Sequence, residues 1–190
     1  MLQERISPAP CQHSHYPLHD DLCRAALPYM RDIAKTFGES CCLNVENNLS
    51  VLCTLEAGSQ RCKSPAPLHC TGAGKLFLSC YSPIELGRLF TTKKIEKLTG
   101  RTITSVLTLL GELGHVRKAG YACDNEEYKI GMRSIAVPIR DRTGKIAAGI
   151  SVGAGTAKMT DEHILENLPK LLLSAQQLSR KLGWNEGFIS

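Results

Sequence analysis

The segment Gly72-Ala73-Gly74-Lys75 is the part of this sequence that looks most like a ligand-binding loop. A P-loop, which holds nucleotide phosphates, has glycine where this chain has His69 and serine or threonine where it has Leu76, so the magnesium-binding hydroxyl is missing. Small residues at a helix start can still bring backbone N–H groups close to an anion such as a carboxylate. Tight packing of the helix start against a sheet needs the same small residues, and the segment alone leaves both explanations open.

A second group of candidate residues is acidic. Asp124-Asn125-Glu126-Glu127 precedes Ser134 by a few residues. Clustered carboxylates can act as acids and bases or bind metal ions, but a solvated acidic turn is the commoner explanation. The sequence has no Ser/His/Asp array, no His-Glu-x-x-His and no nucleotide fingerprint. We therefore predict no catalytic residues and no enzymatic activity.

Nine cysteines are many for a chain of 190 residues. Their number is odd, no pair has Cys-x-x-Cys spacing, and the first residues do not form a secretory signal, all of which argues against a disulfide framework. We expect most of them to be reduced, small, buried hydrophobic residues. Five residues of zinc-ligand type lie close together near the start, but their spacing fits no standard motif and we predict no metal site: Cys11, His13, His15, His19 and Cys23.

Helices and strands alternate in the sequence and must position these residues. Apolar spacings of three and four predict a first helix from Pro17 to a stop at Gly38, bent or divided at Pro28. Further helices are predicted at about 71–81, 82–90, 104–119 and from Thr160 to Gly183, and strands at 40–46, 49–56, 121–123, 134–140 and 145–152. This order predicts an α+β domain over residues 17–183, with an antiparallel sheet packed by helices. Residues 1–16 are predicted to be a linker or arm, and residues 184–190 a C-terminal tail.

Turn residues join two pairs of these strands. Asn47-Asn48 tolerates positive φ, and Asp141-Arg142-Thr143-Gly144 has strong turn chemistry, so two antiparallel hairpins are predicted.

Residues 107–121 resemble the last part of a winged-helix DNA-binding domain. A helix-turn-helix needs a companion helix about four residues upstream, where this chain has a polar, basic connection. We therefore do not predict DNA binding by that segment.

Composition places the chain among globular proteins. Hydrophobic residues make up 43% and charged residues 22%, which excludes disordered and fibrous chains. No apolar run approaches the roughly 18–20 residues that a bilayer span needs, so we expect no membrane partner and a cytoplasmic location. The net charge of +5 is too small to indicate nucleic-acid binding by itself.

Several segments together resemble the effector-binding domain of IclR-type bacterial transcription regulators. Residues 67–75 look like the segment that leads into the first helix after the hairpin in that family. The family signature has Gly, a gap of three, Asp, a gap of two, Glu, a gap of six and a small residue; Gly120, Asp124, Glu127 and Ser134 satisfy it. The sequence departs from the family at Arg140, where an aromatic residue or histidine is usual. The resemblance covers about residues 17–183.

The resemblance implies a curved antiparallel sheet with flanking helices, similar to GAF and profilin domains. It implies a domain that senses a small organic acid, from aromatic catabolism or sugar-acid metabolism, with no cofactor. The positions of Gly72 and Ala73 would hold the effector carboxylate through backbone groups, and Asp124, Ser134 and Ser151 would bind its other polar atoms. At Gly153 the family often has serine, so one hydroxyl is absent here.

The resemblance also implies partners. Operator DNA would be bound only through an N-terminal winged helix that is missing from this chain, and the domain would pair with itself into dimers or tetramers. The alternative is a thiol enzyme on a GAF-like fold, of the methionine-sulfoxide reductase type, which would use Cys70, Cys80 or Cys123. Such an enzyme needs a thiolate of low pKa, and no basic cluster closely flanks these cysteines.

Overall fold

The computed structural model describes residues 18–58, 64–92 and 94–185. These residues form five helices and one curled, six-stranded antiparallel sheet, which confirms the predicted α+β class. The helices are α1 (Leu18–Phe37), α2 (Gly72–Leu78), α3 (Pro83–Thr92), α4 (Val106–Ala119) and α5 (Asp161–Lys181). The strands are β1 (Cys41–Asn47), β2 (Ser50–Ala57), β3 (Ala66–Pro67), β4 (Ala122–Asn125), β5 (Met132–Arg140) and β6 (Ile146–Gly155).

The helices mostly begin and end where the sequence predicts. Thr160 caps α5 by accepting a hydrogen bond from the N–H of His163, and Gly38, with φ of 66°, follows the last residue of α1. Pro28 lies inside α1 without dividing it. Because Pro28 and the preceding turn at Arg24 are exposed, water can satisfy the carbonyl that loses its N–H partner.

The ends of the described chain bear on the predicted domain boundaries. The predicted arm at residues 1–16 lies outside the described residues, and of the predicted tail only Trp184 and Asn185 are described. Among the helices of the described residues, none combines the length and the apolar character that crossing a bilayer requires.

Both predicted hairpins form. Asn48 and Leu49 turn between β1 and β2 with φ of 49° and 62°. Between β5 and β6, Asp141 Oδ1 accepts a hydrogen bond from the N–H of Thr143 at 2.8 Å, and Gly144 has φ of 81°. The side chain of Asp141 therefore closes the second turn in the way that its residue type predicts.

The strand order in the sheet is β3-β2-β1-β6-β5-β4. β1 pairs with β2 in a register that shifts between Leu43 and Asn44: Leu43 lies opposite Leu55, whereas Asn44 lies opposite Cys53. Thr54 is therefore an extra residue in β2, which makes a β-bulge. The sequence pattern gives no sign of this bulge.

The two faces of the sheet carry different residues. One face packs under α1 and α5 and is rich in aliphatic side chains, among them Ile135, Val137, Ile150 and Val152. The opposite face is covered by α2, and β5 and β6 present small residues there: Ser134, Ala136, Gly149, Ser151 and Gly153. Alternation along each strand sends neighbouring residues to opposite faces, so one sequence builds both surfaces.

β5 extends beyond its outer neighbour. β4 pairs with β5 only from Arg133 to Ala136. Further along β5, Pro138 has no N–H, and the N–H of Arg140 donates to Ser179 Oγ of α5 at 2.9 Å. A shallow groove of about 430 Å³ lies at this edge, lined by residues that include Pro138, Arg140 and Leu173, and it contains none of the predicted site residues.

Candidate functional site

Tight packing fixes the start of α2. Thr71 caps the helix through its Oγ1, which accepts a hydrogen bond from the N–H of Gly74 at 3.1 Å. A Cβ atom on Gly74 would lie 2.2 Å from the carbonyl oxygen of Leu68, so only glycine fits there. Tight packing, one of the two explanations that the sequence leaves open, therefore accounts for the glycine at position 74.

Gly72 brings the start of α2 onto the sheet. A Cβ atom at this position would lie 3.1 Å from the carbonyl oxygen of Ala122 and 3.3 Å from Ser134 Oγ. The first amides of a helix have no intrahelical acceptor. Within the described residues, the Gly72 and Ala73 amides donate no hydrogen bond. The start of α2, where these two N–H groups lack an acceptor, thus lies against Ser134 at Gly72.

The strands bring Asp124 and Ser134 together. Ser134 of β5 pairs with Asp124 of β4 on one side and with Gly153 of β6 on the other. A Cβ atom on Gly153 would lie 3.2 Å from Ser134 Cβ, so the glycine avoids a close contact with the side chain of Ser134. Gly72, Asp124, Ser134 and Gly153 therefore meet at one place on the small-residue face.

Ser151 lies on the same face, one residue pair further along. It pairs with Ala136 of β5 and with Cys42 of β1. Its Oγ accepts a hydrogen bond at 2.8 Å from Asn44 Nδ2, and that amide also donates to the carbonyl of Cys42. The sequence analysis did not single out Asn44, because its role depends on the pairing of β1 with β6.

Asp124 is buried, with 4% of its surface exposed. Its Oδ1 accepts hydrogen bonds from the N–H groups of Glu127 at 2.8 Å and Tyr128 at 3.3 Å, which fixes the loop after β4. Burial raises the pKa of Asp124 to about 6; these hydrogen bonds oppose that shift, and the charge of Glu127 adds to it. The interpretation of this segment as a solvated turn is therefore wrong for Asp124.

A buried ionic cluster lies beside Asp124. The side chain of Lys75 is 1% exposed, and its Nζ lies 2.6 Å from Glu127 Oε1 and 2.9 Å from Glu112 Oε1. Burial lowers the pKa of Lys75, but the charges and hydrogen bonds of the two glutamates outweigh burial and raise it. Glu127 Oε2 is buried without a hydrogen-bond partner among the described residues. Glu127 is thus also no part of a solvated turn.

The polar connection before α4 covers this cluster. Thr102 Oγ1 donates to the carbonyl of Glu127 at 2.7 Å, and Thr99 Oγ1 donates to the carbonyl of Glu126 at 2.7 Å. His69 Nε2 lies 2.9 Å from the carbonyl oxygen of Glu96, and burial lowers the pKa of His69. The segment that separates α3 from α4 therefore holds the acidic loop in place.

The cysteines agree only in part with the prediction that they are reduced. Cys42 is disulfide-bonded, which contradicts that expectation at this residue. Six other described cysteines are thiols: Cys23, Cys41, Cys53, Cys70, Cys80 and Cys123. Burial raises the pKa of Cys70 to about 12 and also raises the pKa of Cys123, so neither favours the thiolate that a thiol enzyme needs. Of the five residues of zinc-ligand type near the start, for which we predict no metal site, Cys11, His13 and His15 lie outside the described residues.

A family model for the C-terminal domain of the bacterial transcriptional regulator IclR matches residues 15–180. The chain belongs to this family. It is 33% identical over 182 residues to the HTH-type transcriptional regulator BhcR of Paracoccus denitrificans, a match that covers 92% of this chain and 65% of BhcR. The chain thus spans about two thirds of the length of that relative.

Solved structures agree with the assignment to the IclR family. The C-terminal domain of the Escherichia coli regulator KdgR matches with a TM-score of 0.79 and 32% identity, over 86% of this chain and 99% of that domain. An inducer-binding domain of PobR from Acinetobacter, a double mutant in complex with 3-hydroxybenzoic acid, has a TM-score of 0.77. Its 22% identity, over 87% of this chain and 98% of that one, shows a shared fold.

The IclR assignment confirms two predictions from the sequence. The fold is that of an IclR C-terminal domain, and the chain belongs to a family of regulators whose relatives are named as transcriptional regulators and not as enzymes. The roles of Gly72, Ala73, Asp124, Ser134 and Ser151 toward an effector stay predictions.

Proposed function

We propose that this IclR domain binds a small organic acid at the start of α2 and thereby controls operator binding by an N-terminal winged-helix domain. The observation that carries the proposal is the meeting of the Gly72 amide, the Ser134 hydroxyl and the Asp124 carboxyl at one place. The amide comes from α2, and the other two groups lie on the sheet face where β5 and β6 carry small residues. Such a set of converging polar groups is typical of small-molecule sites.

The donors define the end of the ligand that binds here. The amides of Gly72 and Ala73 can only donate, and the hydroxyl of Ser134 can donate to the same acceptor. An ionised carboxylate is the acceptor that uses all three. Charge-assisted hydrogen bonds of this kind are stronger than neutral ones.

The acceptors define the rest of the ligand. Asp124, when ionised, can only accept, so it faces a ligand hydroxyl and not the carboxylate. Ser151 Oγ already accepts from Asn44 and has its own proton left to donate. We therefore favour a hydroxy acid over a plain fatty acid. The complex of PobR with 3-hydroxybenzoic acid supports this class, because that domain has the same fold.

A thermal-shift screen of small acids tests the proposal. The panel contains aliphatic 2-oxo and 2-hydroxy acids, hydroxybenzoic acids, and the corresponding alcohols and amides as uncharged controls. We expect one or more acids, and none of the uncharged analogues, to raise the melting temperature. Failure of every acid, or equal shifts with the neutral analogues, would contradict carboxylate recognition.

Calorimetry on two variants then locates the site. Ala73→Leu places a bulky side chain at the helix start and should abolish detectable binding, whereas Ser134→Ala should weaken it about 10- to 100-fold, since a hydrogen bond to a charged group contributes roughly 1.5–3 kcal/mol. Ala119→Leu and Thr108→Ala are matched controls at exposed positions of α4. If the two site variants stay folded and bind like their controls, the site lies elsewhere.

We also propose the assembly and partners that the family resemblance implies: self-association into dimers or tetramers, operator DNA bound only through an N-terminal winged helix, and a cytoplasmic location. Residues 1–190 should show no gel-shift binding near the ~10⁻⁸ M of specific DNA complexes. Sedimentation should show a species larger than a monomer. Tight DNA binding, or a strict monomer at high concentration, would contradict the respective part.

A further inference from the structure

Three side chains with metal-binding atoms meet on the hairpin of β1 and β2, away from the cluster at Lys75. Cys42 Sγ, Cys53 Sγ and a carboxylate oxygen of Glu56 all lie within 4.8 Å of one another. Cys42 Sγ and Glu56 Oε1 are 3.9 Å apart. Cys42 is buried, whereas Cys53 and Glu56 are half-buried. The group is thus open to an ion from solvent on one side and shielded on the other.

The β-bulge in β2 brings these residues to one face. In a regular strand, residues three apart such as Cys53 and Glu56 point to opposite faces. The extra residue Thr54 shifts the alternation, so that residues before and after it change faces. Val51, two residues before Cys53, packs in the core under α2. Leu55, next to Glu56, packs in the core on the opposite face, under α1 and α5. Cys53 and Glu56 therefore share the face on which Cys42, the register partner of Glu56, also lies.

The distances and ligand types favour zinc. With Zn–S bonds of about 2.3 Å and Zn–O bonds of about 2.1 Å, two ligand atoms of one tetrahedral zinc ion lie about 3.6–3.8 Å apart. A limit of 4.8 Å between the three atoms therefore needs only small side-chain rotations. Thiolates are soft ligands that select zinc over magnesium or calcium.

We propose that Cys42, Cys53 and Glu56 bind one zinc ion when Cys42 is reduced. The two thiolates and the carboxylate supply three ligands, and a water molecule completes the tetrahedral set. The proposal is independent of the effector site, because it uses none of the residues assigned to that site.

The disulfide at Cys42 is the oxidised alternative to this site. A dithiol reductant transfers two electrons and two protons to the disulfide, which becomes two thiols while the dithiol closes to a cyclic disulfide. Zinc then displaces the protons of the Cys42 and Cys53 thiols as it binds. The same sulfur cannot be in a disulfide and act as a thiolate ligand, so oxidation and zinc binding exclude each other.

Metal titration of the full chain tests the proposal. Protein reduced with a dithiol, then freed of reductant and metal under inert gas, is titrated with zinc against a chromogenic chelator and, separately, with cobalt. We expect one equivalent of zinc, and a thiolate-to-cobalt charge-transfer band in the near ultraviolet. Protein that keeps its disulfide should lose at least tenfold in zinc affinity.

Variants assign the ligands. Cys53→Ser and Glu56→Gln should each weaken zinc binding at least tenfold, and Cys53→Ser should also weaken the charge-transfer band. Cys80→Ser is the matched control, because Cys80 is an exposed thiol that follows α2 and is not part of the proposed zinc site. Melting curves without metal show whether a variant is folded. If Cys53→Ser unfolds, the Glu56→Gln titration decides. Zinc binding that is absent from the reduced wild type, or equal in Glu56→Gln and Cys80→Ser, would overturn the proposal.

Discussion

The two faces of the central sheet differ in what their side chains do. Under α1 and α5, neighbouring strands interlock large aliphatic residues such as Ile135 and Ile150, and every such contact removes apolar surface from water. Under α2, the paired residues Ser134 and Gly153 carry almost no side-chain volume, and hydrogen bonds and charges lie beside them. One face of the same strands thus supplies stability, and the other leaves room next to polar groups.

This difference shows how a domain can carry small side chains on one sheet face and still keep a hydrophobic core. Small residues on both faces would leave the sheet without a core, since each buried aliphatic side chain contributes roughly 1.5–3 kcal/mol. Concentrating the aliphatic residues on one face frees the other for a ligand. We therefore expect substitutions on the two faces to have separable effects on stability and on effector binding.

The largest effect should come from Lys75, where a charge is buried on the small-residue side. Lys75→Met keeps the shape of the side chain but leaves the carboxylate of Glu127 buried without its partner, which should lower the free energy of unfolding by about 3–5 kcal/mol. Denaturant unfolding measures this. The double variant Lys75→Met/Glu127→Leu should recover most of the loss. If Lys75→Met is as stable as the wild type, the ion pair between Lys75 and Glu127 does not contribute to stability.

Adjacent residues of β6 compare the two faces directly. Ile150→Ala, on the aliphatic face, should lower the free energy of unfolding by about 2–5 kcal/mol. Ser151→Ala, on the opposite face, removes one hydrogen bond to Asn44 and should cost only about 1 kcal/mol. Unfolding curves measure both values, and calorimetry with an acid from the screen should show the reverse order for affinity. Equal losses of stability would contradict the division of labour between the faces.

The pH dependence of stability tests the burial of Asp124. Burial raises the pKa of Asp124 to about 6 in the folded protein, above its ordinary value of 3.8, so the folded state binds the proton more tightly than the unfolded state. Protonation therefore stabilises the fold fully below pH 4, and this stabilisation is lost as the pH rises through 6.

Asp124→Asn cannot titrate and is the matched reference for this test. Between pH 7 and pH 4, wild type should gain as much as about 3 kcal/mol relative to Asp124→Asn. Urea unfolding at each pH measures the free energy of unfolding of both proteins. Subtracting one value from the other removes the contribution of the other carboxyl groups, because both proteins share them. A difference that is constant with pH would place Asp124 in contact with water.

The smallest effect should come from Gly153→Ser. The added Cβ would lie 3.2 Å from Ser134 Cβ and 3.3 Å from the carbonyl oxygen of Arg133, so the neighbours must yield slightly, at a cost of roughly 1 kcal/mol. Thermal unfolding measures this cost. The new hydroxyl should change which acid of the screen gives the largest shift, because it lies beside Ser134. An unchanged order of acids would remove Gly153 from the specificity of the site.

Local signals made most of the fold predictable. Thr160 and Gly38 mark helix ends through their own side-chain and backbone chemistry, and Asp141 closes its turn with its own carboxylate. These interactions join residues close in sequence, so a single sequence carries them. The bulge at Thr54 left no such signal, because it depends on how β1 aligns with β2.

The candidate site was predictable only where the family pattern applied. The spacing of Asp124 and Glu127 pointed to this segment, but the residues alone favoured a solvated turn, and both side chains are buried. What buries them is distant in sequence: Lys75 arrives on α2, and Thr102 arrives from the connection before α4. Charge and polarity predict exposure only until an element with the complementary charge covers the residue.

The exposed end of β5 has a consequence for how copies of this domain meet. An uncovered strand normally offers a ladder of N–H and C=O groups to a strand of another chain, the route by which sheets fuse and aggregate. Pro138 has no N–H to offer, and the N–H of Arg140 is already bound to Ser179. At these two positions the sheet is closed to further strands, so crowding of many copies in a cell should not extend it at this edge into a continuous intermolecular ribbon.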